Sequence, residues 1–307
     1  MKANWCSMTV VSLALSTAAL AQPPGGGPGQ PPRLPPIPAG TTIHRDLAYV
    51  TNGHPRQKLD LYLPANARKP PLIVMIHGGA FKSGSKDGQN PVPFLEQGYA
   101  VAALNYRLSG HAVFPAQIED CKAAVRWLRA HAGEYGYDPN RFGAVGSSAG
   151  GHLVAMLGTT GSTAKFDVGE HLGVSSRMQA VVDNFGPTDF LQMDAHRVPN
   201  GQVHNTPDSP ESELIGGNLQ DNPEKVRNAN PVTYVTKDCP PFLVIHGDSD
   251  PLVPHHQSEL LAAALRAAGA SVDFYTVKGG GHGGFADPNV ESLTREFLAY
   301  HLKPGRQ

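Results

Sequence analysis

A marked excess of charge of one sign is absent from this sequence. Its 25 lysine and arginine residues balance 26 aspartate and glutamate residues, which leaves a formal net charge of −1. The basic residues are scattered, and no block of them is interleaved with aromatic residues. A near-neutral chain has no global field that favours nucleic acid or an anionic membrane, so we expect neither as a partner.

A long apolar run is also absent. The stretch MTVVSLALSTAAL near the N-terminus is shorter than the roughly 20 apolar residues that a membrane-spanning helix needs. Lys2 precedes it, and the small-x-small sequence that ends at Ala21 is typical of a signal-peptide cleavage site. We therefore expect a signal peptide at residues 1–21, no membrane span, and a secreted or periplasmic protein.

Cysteine is scarce, with three residues in the whole chain. Cys6 lies in the expected signal peptide. Neither Cys121 nor Cys239 has a cysteine or histidine neighbour at metal-ligand spacing, so no metal site is expected. Export permits a disulfide between them, whereas isolated cysteines in a large domain are more often buried small apolar groups.

Proline and glycine are plentiful, with 28 and 34 residues. Residues 22–40, QPPGGGPGQPPRLPPIPAG, have almost nothing to bury and are typical of an extended tether. The overall composition, 40% hydrophobic and 17% charged, is that of a globular protein without internal repeats. We predict one folded domain over residues 41–307.

Two patterns of strand alternate with helical segments along this domain. IHRDLAYVT and QKLDLYLP alternate apolar and polar residues, as half-exposed antiparallel strands do. Continuous apolar runs fit parallel strands that are buried on both faces: PPLIVMIHGG, YAVAALNYR, RFGAVGS, MQAVVDNFG and PFLVIHGDSD. The alternation predicts a doubly wound, mostly parallel α/β sheet. The polar, proline-rich residues 187–238 predict a loop-rich insertion that forms a lid or pocket wall before the penultimate strand.

Chemically useful residues cluster where the predicted strands end, which is where ligands bind in open α/β sheets. Gly146–Gly150, GSSAG, matches G-x-S-x-G between a strand and a helix, the context that this motif requires. The sharp turn exposes the central hydroxyl at a helix N-terminus, whose dipole favours nearby negative charge. We predict Ser148 as a nucleophile and expect Ser147 to point elsewhere.

A serine hydroxyl needs a base to remove its proton, and a carboxylate must orient that base. His282 is the candidate base, because the glycine-rich KGGGHGGF follows the last predicted strand. HGDSDPLVP offers Asp248 and Asp250 as the acid. The strand is expected to end near Gly247, so Asp248 comes too early and Asp250 is favoured.

Acyl transfer also needs donors for the developing oxyanion. Residues 77–81, HGGAF, follow the third predicted strand and are called the oxyanion loop below. The predicted oxyanion donors are the amides of Gly79 and Ala80, together with the Ala149 amide after the nucleophile. The mechanism requires no metal or organic cofactor.

Several further residues near these motifs have structural explanations. We expect His77 to brace the oxyanion loop, His152 to pack within its helix, and His255–His256 to open a solvated helix. Arg107 and Asp120 are predicted to form a structural ion pair. Core packing is the default for three phenylalanines that border the motifs, and one or two of them are expected to line the acyl pocket. These are Phe81, Phe185 and Phe285.

The motifs together resemble those of a known family. HGGAF, NYRL, IEDCKAAVRWLR, GSSAGGHLVA, FGPTDF, HGDSDPLVP and GGGHGGF are similar to secreted bacterial carboxylesterases related to feruloyl and acetylxylan esterases, within the α/β-hydrolase superfamily. The resemblance spans about residues 42–302. It implies Ser148 as nucleophile, Asp250 as acid and His282 as base, with the three amides named above as oxyanion donors. Ala80 departs from the third glycine of many relatives but keeps its amide.

The leading hypothesis is a serine carboxylic-ester hydrolase that works through an acyl-enzyme. The polar insertion favours small-molecule or polysaccharide-linked substrates, namely short-chain or hydroxycinnamoyl esters of carbohydrate, over long-chain triglycerides. A prolyl-oligopeptidase-like peptidase is one alternative, although the chain has no room for the large propeller domain of those enzymes. A non-catalytic binding module on the hydrolase fold is another, although such proteins usually lose part of the triad.

Overall fold

The structure, a computed structural model, describes residues 34–303. The expected signal peptide and most of the expected tether therefore lie outside the described residues. From Pro36 onward the described residues belong to one structural unit. Within residues 34–303 no helix is both long enough and apolar enough to cross a membrane.

One eight-stranded sheet organises the domain, with the strand order β1-β2-β4-β3-β5-β6-β7-β8. The strands are β1 Thr42–Ala48, β2 Lys58–Leu63, β3 Leu72–Ile76, β4 Ala100–Leu104, β5 Phe142–Ser147, β6 Ala180–Asn184, β7 Phe242–Gly247 and β8 Val272–Val277. The β1–β2 and β2–β4 pairs are antiparallel, and every other pair is parallel. This sheet confirms the predicted α/β-hydrolase architecture.

Eight helices connect and cover these strands within the described range. They are α1 Val92–Glu96, α2 Ala116–Ala130, α3 Ala132–Tyr135, α4 Ala149–Thr160, α5 Pro210–Ile215, α6 Pro223–Ala229, α7 His256–Ala268 and α8 Pro288–Leu302. Buried side chains of α2, α4 and α7 share one apolar core, and those of α1 and α8 share a second. Strand residues alternate between these cores, since successive side chains point to opposite faces of a sheet. In β3, Leu72, Val74 and Ile76 enter the first core and Ile73 the second.

The insertion, residues 187–238, consists of loops and short helices. It holds α5, α6 and three short 3₁₀ helices, Phe190–Gln192, Asp194–His196 and Pro231–Tyr234. Helix α5 follows Ser209, whose hydroxyl accepts a hydrogen bond from the Ser212 amide, and it ends at Gly216 in the left-handed conformation. A capping side chain and a terminal glycine thus define this short helix.

Two predictions made outside the site can be checked directly. Cys121 is buried, Cys239 is partly exposed, and both are unpaired, so the disulfide alternative is wrong. Arg107 Nη2 lies 2.7 Å from Asp120 Oδ1, which confirms the predicted ion pair.

Candidate active site

The predicted site residues follow the carboxyl ends of four strands, β3, β5, β7 and β8. Strands β3 and β5 are neighbours, with Ile76 opposite Gly146, so the oxyanion loop lies beside the turn at Ser148. Strands β7 and β8 are also neighbours, with Gly247 opposite Val277. The sheet therefore brings two pairs of loops to one edge.

The turn between β5 and α4 is too tight for side chains at its flanking positions. A Cβ atom on Gly146 would lie 2.2 Å from the Gly150 carbonyl oxygen, and one on Gly150 would lie 2.1 Å from the Ile76 carbonyl oxygen. Such distances exclude every residue except glycine without a backbone shift. Ser148 between them has φ 57° and ψ −124°. The glycines of GSSAG are thus steric requirements of this turn.

Ser148, His282 and Asp250 form one continuous hydrogen-bonded chain. The Ser148 hydroxyl lies 2.9 Å from His282 Nε2, and His282 Nδ1 lies 2.7 Å from Asp250 Oδ2. When the ring is neutral, Nδ1–H donates a hydrogen bond to the carboxylate, and Nε2 accepts a hydrogen bond from the Ser148 hydroxyl. The His282 side chain is 17% exposed, whereas that of Asp250 is fully buried. The arrangement is that of a nucleophile, a base and an orienting acid.

Asp250 is held by donors on both of its oxygens. Oδ1 accepts hydrogen bonds from the amides of Leu252, at 2.7 Å, and Val253, at 3.0 Å. Burial on its own raises the pKa of this carboxyl, but hydrogen bonds from His246 and His282 outweigh it and hold the pKa well below its usual range. Asp250 is therefore ionised near neutral pH.

Asp248, the alternative acid, lies away from His282. It follows the last residue of β7, and its Oδ1 accepts a hydrogen bond from the Gly279 amide at 2.7 Å. Its Oδ2 lies 3.2 Å from Lys278 Nζ. Asp248 thus connects the loop after β7 to the loop after β8 and makes no hydrogen bond with His282.

Consecutive residues of the oxyanion loop adopt a left-handed backbone. Gly79, Ala80 and Phe81 have φ values of 109°, 54° and 59°. A Cβ atom on Gly78 would lie 3.4 Å from the Ser148 Cβ, so the loop touches the nucleophile turn. Within residues 34–303 the amides of Gly79, Ala80 and Ala149 donate no hydrogen bond. The three predicted oxyanion donors thus have no acceptor among the described residues.

A cluster behind the oxyanion loop fixes its backbone. His77 Nδ1 lies 2.7 Å from the Gly78 carbonyl oxygen, and its Nε2 lies 3.1 Å from Arg56 Nη2. Since the guanidinium only donates, Nε2 accepts and Nδ1–H donates to the loop. Burial lowers the pKa of His77 to about 4, which keeps the ring neutral. His77 braces the loop, whereas Arg56 lies in a turn without any sequence signal and was missed.

Of the three phenylalanines, Phe185 contacts the base, and Phe285 packs against Phe185. The Phe185 ring centroid lies 4.7 Å from that of His282 and 5.7 Å from that of Phe285. Phe81 follows the default of core packing and does not line the pocket: its side chain is 1% exposed and packs against His152 in the core.

Two buried titratable groups, His152 in α4 and Asp183 packed against α4, lie near the nucleophile. Burial raises the pKa of Asp183 to about 7, and one carboxylate oxygen accepts a hydrogen bond from the Gly186 amide at 3.0 Å. His152 is also fully buried, its Nδ1–H donates to the Pro187 carbonyl oxygen, and burial lowers its pKa to about 4. His152 is therefore uncharged near neutral pH, whereas Asp183 keeps its proton in mild acid and loses it around pH 7. Sequence analysis did not single out Asp183.

The insertion contacts loops on both sides of the triad. Lys82, next to the oxyanion loop, forms a 2.6 Å ion pair with Glu213 of α5. On the other side, His204 Nε2 lies 2.8 Å from the carbonyl oxygen of Leu252, two residues after Asp250. Residues 187–238 thus contact both the segment after the oxyanion loop and the segment after Asp250. Among the described residues, no group of three or more His, Cys, Asp or Glu side chains is arranged to hold a metal ion.

Comparisons with known proteins agree with this geometry. The family model BD-FAE matches residues 59–265, a range that includes Ser148 and Asp250 and ends before His282. Esterase LipC of Mycobacterium tuberculosis is 30% identical over 82% of this chain, which spans 64% of that protein's length. The chain thus spans less than two thirds of this curated relative.

Solved structures give the same result. A truncated carbohydrate esterase from gut microbiota is 34% identical, with a TM-score of 0.75 over 85% of this chain and 96% of that one. An acetyl ester-xyloside bifunctional hydrolase from Caldicellulosiruptor lactoaceticus is 26% identical, with a TM-score of 0.64 over 78% of this chain and 84% of that one. The fold and the family resemblance predicted from the sequence are confirmed.

Proposed function

The chain belongs to the BD-FAE family of α/β-hydrolase esterases, and from this premise we propose that it is a serine carboxylic-ester hydrolase that forms an acyl-enzyme on Ser148. The observation that carries the proposal is the hydrogen-bonded chain from Ser148 through His282 to buried Asp250. Named relatives and structural neighbours are esterases, which supports the same reaction class.

In the acylation step, His282 Nε2 takes the Ser148 proton while Oγ attacks the ester carbonyl carbon. The carbonyl oxygen becomes an oxyanion, which the amides of Gly79, Ala80 and Ala149 are placed to bind. When the tetrahedral intermediate collapses, the carbon–oxygen bond to the alcohol breaks and His282 returns the proton to the leaving alcohol. Ser148 then carries the acyl group.

Deacylation repeats these steps with water as the nucleophile. His282 takes a proton from water, the hydroxide attacks the acyl carbon, and the same amides bind the second oxyanion. The carboxylic acid leaves as Ser148 regains its proton. Asp250, ionised and buried, orients His282 throughout and stabilises its protonated form. No further group is needed for the balance of atoms and protons.

The proposed substrates are short-chain or hydroxycinnamoyl esters of carbohydrate. The acetyl ester and carbohydrate activities in the names of two structural neighbours support this class. The insertion, residues 187–238, is polar and contacts loops beside the triad, which supports hydrogen bonds with sugar hydroxyls. The proposed secreted or periplasmic location would give the enzyme access to polysaccharide-linked esters.

A panel of esters tests the substrate class. We expect kcat/KM on acetylated xylo-oligosaccharide or feruloyl ester to exceed that on palmitoyl ester. A highest value on palmitoyl ester, with activation at an oil–water interface, would make the protein a lipase and overturn the substrate assignment.

A partitioning experiment tests the acyl-enzyme. Acetyl esters with different leaving groups are hydrolysed in the presence of methanol, and the ratio of methyl acetate to acetate is measured. A shared acyl-enzyme gives one ratio for all leaving groups. Ratios that change with the leaving group would mean direct attack by water and would contradict the covalent intermediate.

A further inference from the structure

A second histidine contacts the carboxylate of Asp250. His246, in β7, places Nε2 3.1 Å from Asp250 Oδ2, the same oxygen that His282 Nδ1 contacts at 2.7 Å. Nε2 of His246 also lies 2.9 Å from the Val253 carbonyl oxygen. The His246 side chain is fully buried. One carboxylate oxygen therefore receives donors from two imidazoles.

The surroundings of His246 select one tautomer of its ring. Both partners of Nε2 are acceptors, the Asp250 carboxylate and the Val253 carbonyl, so Nε2 carries the proton. Nδ1 lies 2.7 Å from the hydroxyl oxygen of Ser258 in α7, which is itself fully buried. In the neutral ring Nδ1 accepts a hydrogen bond from the Ser258 hydroxyl. The hydroxyl thus holds His246 in the tautomer that donates to Asp250.

We propose that His246, held by Ser258, is a positioning residue for the triad. It sets the orientation of the Asp250 carboxylate and the strength of the electrostatic interaction between Asp250 and His282. The inference rests on the proposed esterase function. The chain of contacts runs from Ser258 through His246, Asp250 and His282 to Ser148, and it links α7 to the nucleophile.

The chemical consequence concerns the charge on Asp250. A hydrogen bond from His246 stabilises the carboxylate and reduces the negative charge that it presents to His282. Loss of that donor strengthens the attraction between Asp250 and protonated His282. The acid limb of kcat/KM, which reports loss of a proton from the base of the free enzyme, then moves to higher pH.

Other groups around His246 do not duplicate this contact. His255 lies 5.5 Å away between ring centroids, but its own nitrogens face Thr276 and Glu259. Phe185 offers only its ring, at 6.2 Å. His255→Gln is therefore a matched control, since it alters a neighbouring histidine that does not contact Asp250.

The test compares His246→Leu, which removes the donor, with His246→Gln, whose amide can still donate to Asp250. We expect kcat to fall on the order of 10- to 100-fold in His246→Leu with KM little changed, because one hydrogen bond to a charged acceptor is lost. We expect its acid limb to rise by roughly 0.5–1 pH unit. His246→Gln should recover most of the rate, and His255→Gln should match the wild type in both measurements.

Ser258→Ala keeps the test valid if His246→Leu does not fold. We expect a several-fold lower kcat, because the ring can now adopt the tautomer whose Nε2 lone pair faces the carboxylate. A folded His246→Leu or Ser258→Ala with wild-type kcat and pH profile would overturn the inference. So would a His246→Gln variant as impaired as His246→Leu.

A readout without substrate separates this inference from the proposed function. Histidine ¹⁵N NMR of the wild type should show His246 protonated on Nε2 and not on Nδ1 at neutral pH, and Ser258→Ala should mix the two tautomers. A proton on Nδ1 in the wild type would contradict the inference, even in an active esterase. An inactive wild type with the expected tautomer would instead contradict the esterase function.

Discussion

The backbone of Ser148, at φ 57° and ψ −124°, lies in a region that residues other than glycine rarely adopt. Strain of this kind costs about 1–3 kcal/mol and persists only where the surrounding structure enforces it. Here Gly146 and Gly150 allow α4 to approach β3 closely enough to do so. The strain places the hydroxyl within reach of His282, whereas Ser147 belongs to β5 and continues its pairing with β6.

Two adjacent serines permit a matched test of this difference. We expect Ser148→Ala to lower kcat on p-nitrophenyl acetate by about 10⁴-fold or more, while Ser147→Ala keeps most of the activity. The reason is that only the Ser148 oxygen contacts His282. Near-normal turnover by purified Ser148→Ala would show that another group is the nucleophile.

The two aspartates of HGDSD provide a second matched pair. We expect Asp250→Asn to fold and to lose about 10⁴-fold in kcat, since an amide opposite Nδ1 favours the wrong tautomer of His282. Asp248→Asn, which alters the contacts with Ser249, Gly279 and Lys278, should lose little. Steady-state kinetics on both variants decide the assignment, and the reverse ranking would make Asp248 the acid.

At the scale of elements, sequence patterns with a local cause predicted the structure well. Continuous apolar runs identified the parallel strands, and glycine between a strand and a helix identified the turn at Ser148. The acid was predictable because Gly247 ends its strand. Contacts between residues distant in sequence left no such pattern: Arg56 meets His77 and Ser258 meets His246 only in the folded chain.

The insertion shows the same limit. Its polar composition predicts loops with at most short helices, but it does not predict the buried ion pair that organises them. His204 Nδ1 lies 2.8 Å from Glu211 Oε2, and its Nε2 lies 2.8 Å from the Leu252 carbonyl oxygen. Acceptors at both nitrogens favour a ring with two N–H groups, which is the charged form. Burial alone would lower the pKa of His204, but the hydrogen bond to Glu211 outweighs burial and raises the pKa. This pair connects α5 to the loop that carries Asp250.

Helix α5 offers a comparison between a buried and an exposed carboxylate. We expect Glu211→Ala to cost about 3 kcal/mol or more in the free energy of unfolding, because buried His204 loses its partner. Glu213→Ala removes a pair with Lys82 in which both side chains are more than a third exposed, and should cost below about 1 kcal/mol. Urea unfolding of both variants measures the difference, and equal costs would mean that the insertion is not held by this pair.

For the whole molecule, buried titratable groups make stability depend on pH in opposing directions. Burial keeps His77 and His152 neutral in the folded protein down to about pH 4, whereas in the unfolded chain both are protonated below about pH 6.5. This lowers stability in acid. Asp183 acts in the opposite sense, because its proton is kept to about pH 7 when folded and lost near pH 4 when unfolded. The contribution of Asp183 to the free energy of unfolding therefore falls as the pH rises from about 4 to 7.

An isosteric variant isolates the contribution of Asp183. We expect Asp183→Asn to gain stability relative to the wild type as the pH rises from about 4 to 7, by about 2–4 kcal/mol in total. His152→Gln should show its gain at the acid end of the same range instead. Urea unfolding at several pH values measures both differences. A pH-independent difference for Asp183→Asn would mean that this carboxyl is already ionised in the folded protein.

The reaction of the whole protein with a fluorophosphonate tests the central claim most directly. The folded wild type should gain the mass of one phosphonyl group, and tandem mass spectrometry should locate that group on Ser148, because only this hydroxyl is activated by His282. Ser148→Ala should remain unlabelled under the same conditions. An unlabelled wild type, as in a non-catalytic binding module, or a phosphonyl group on any other residue would contradict the account.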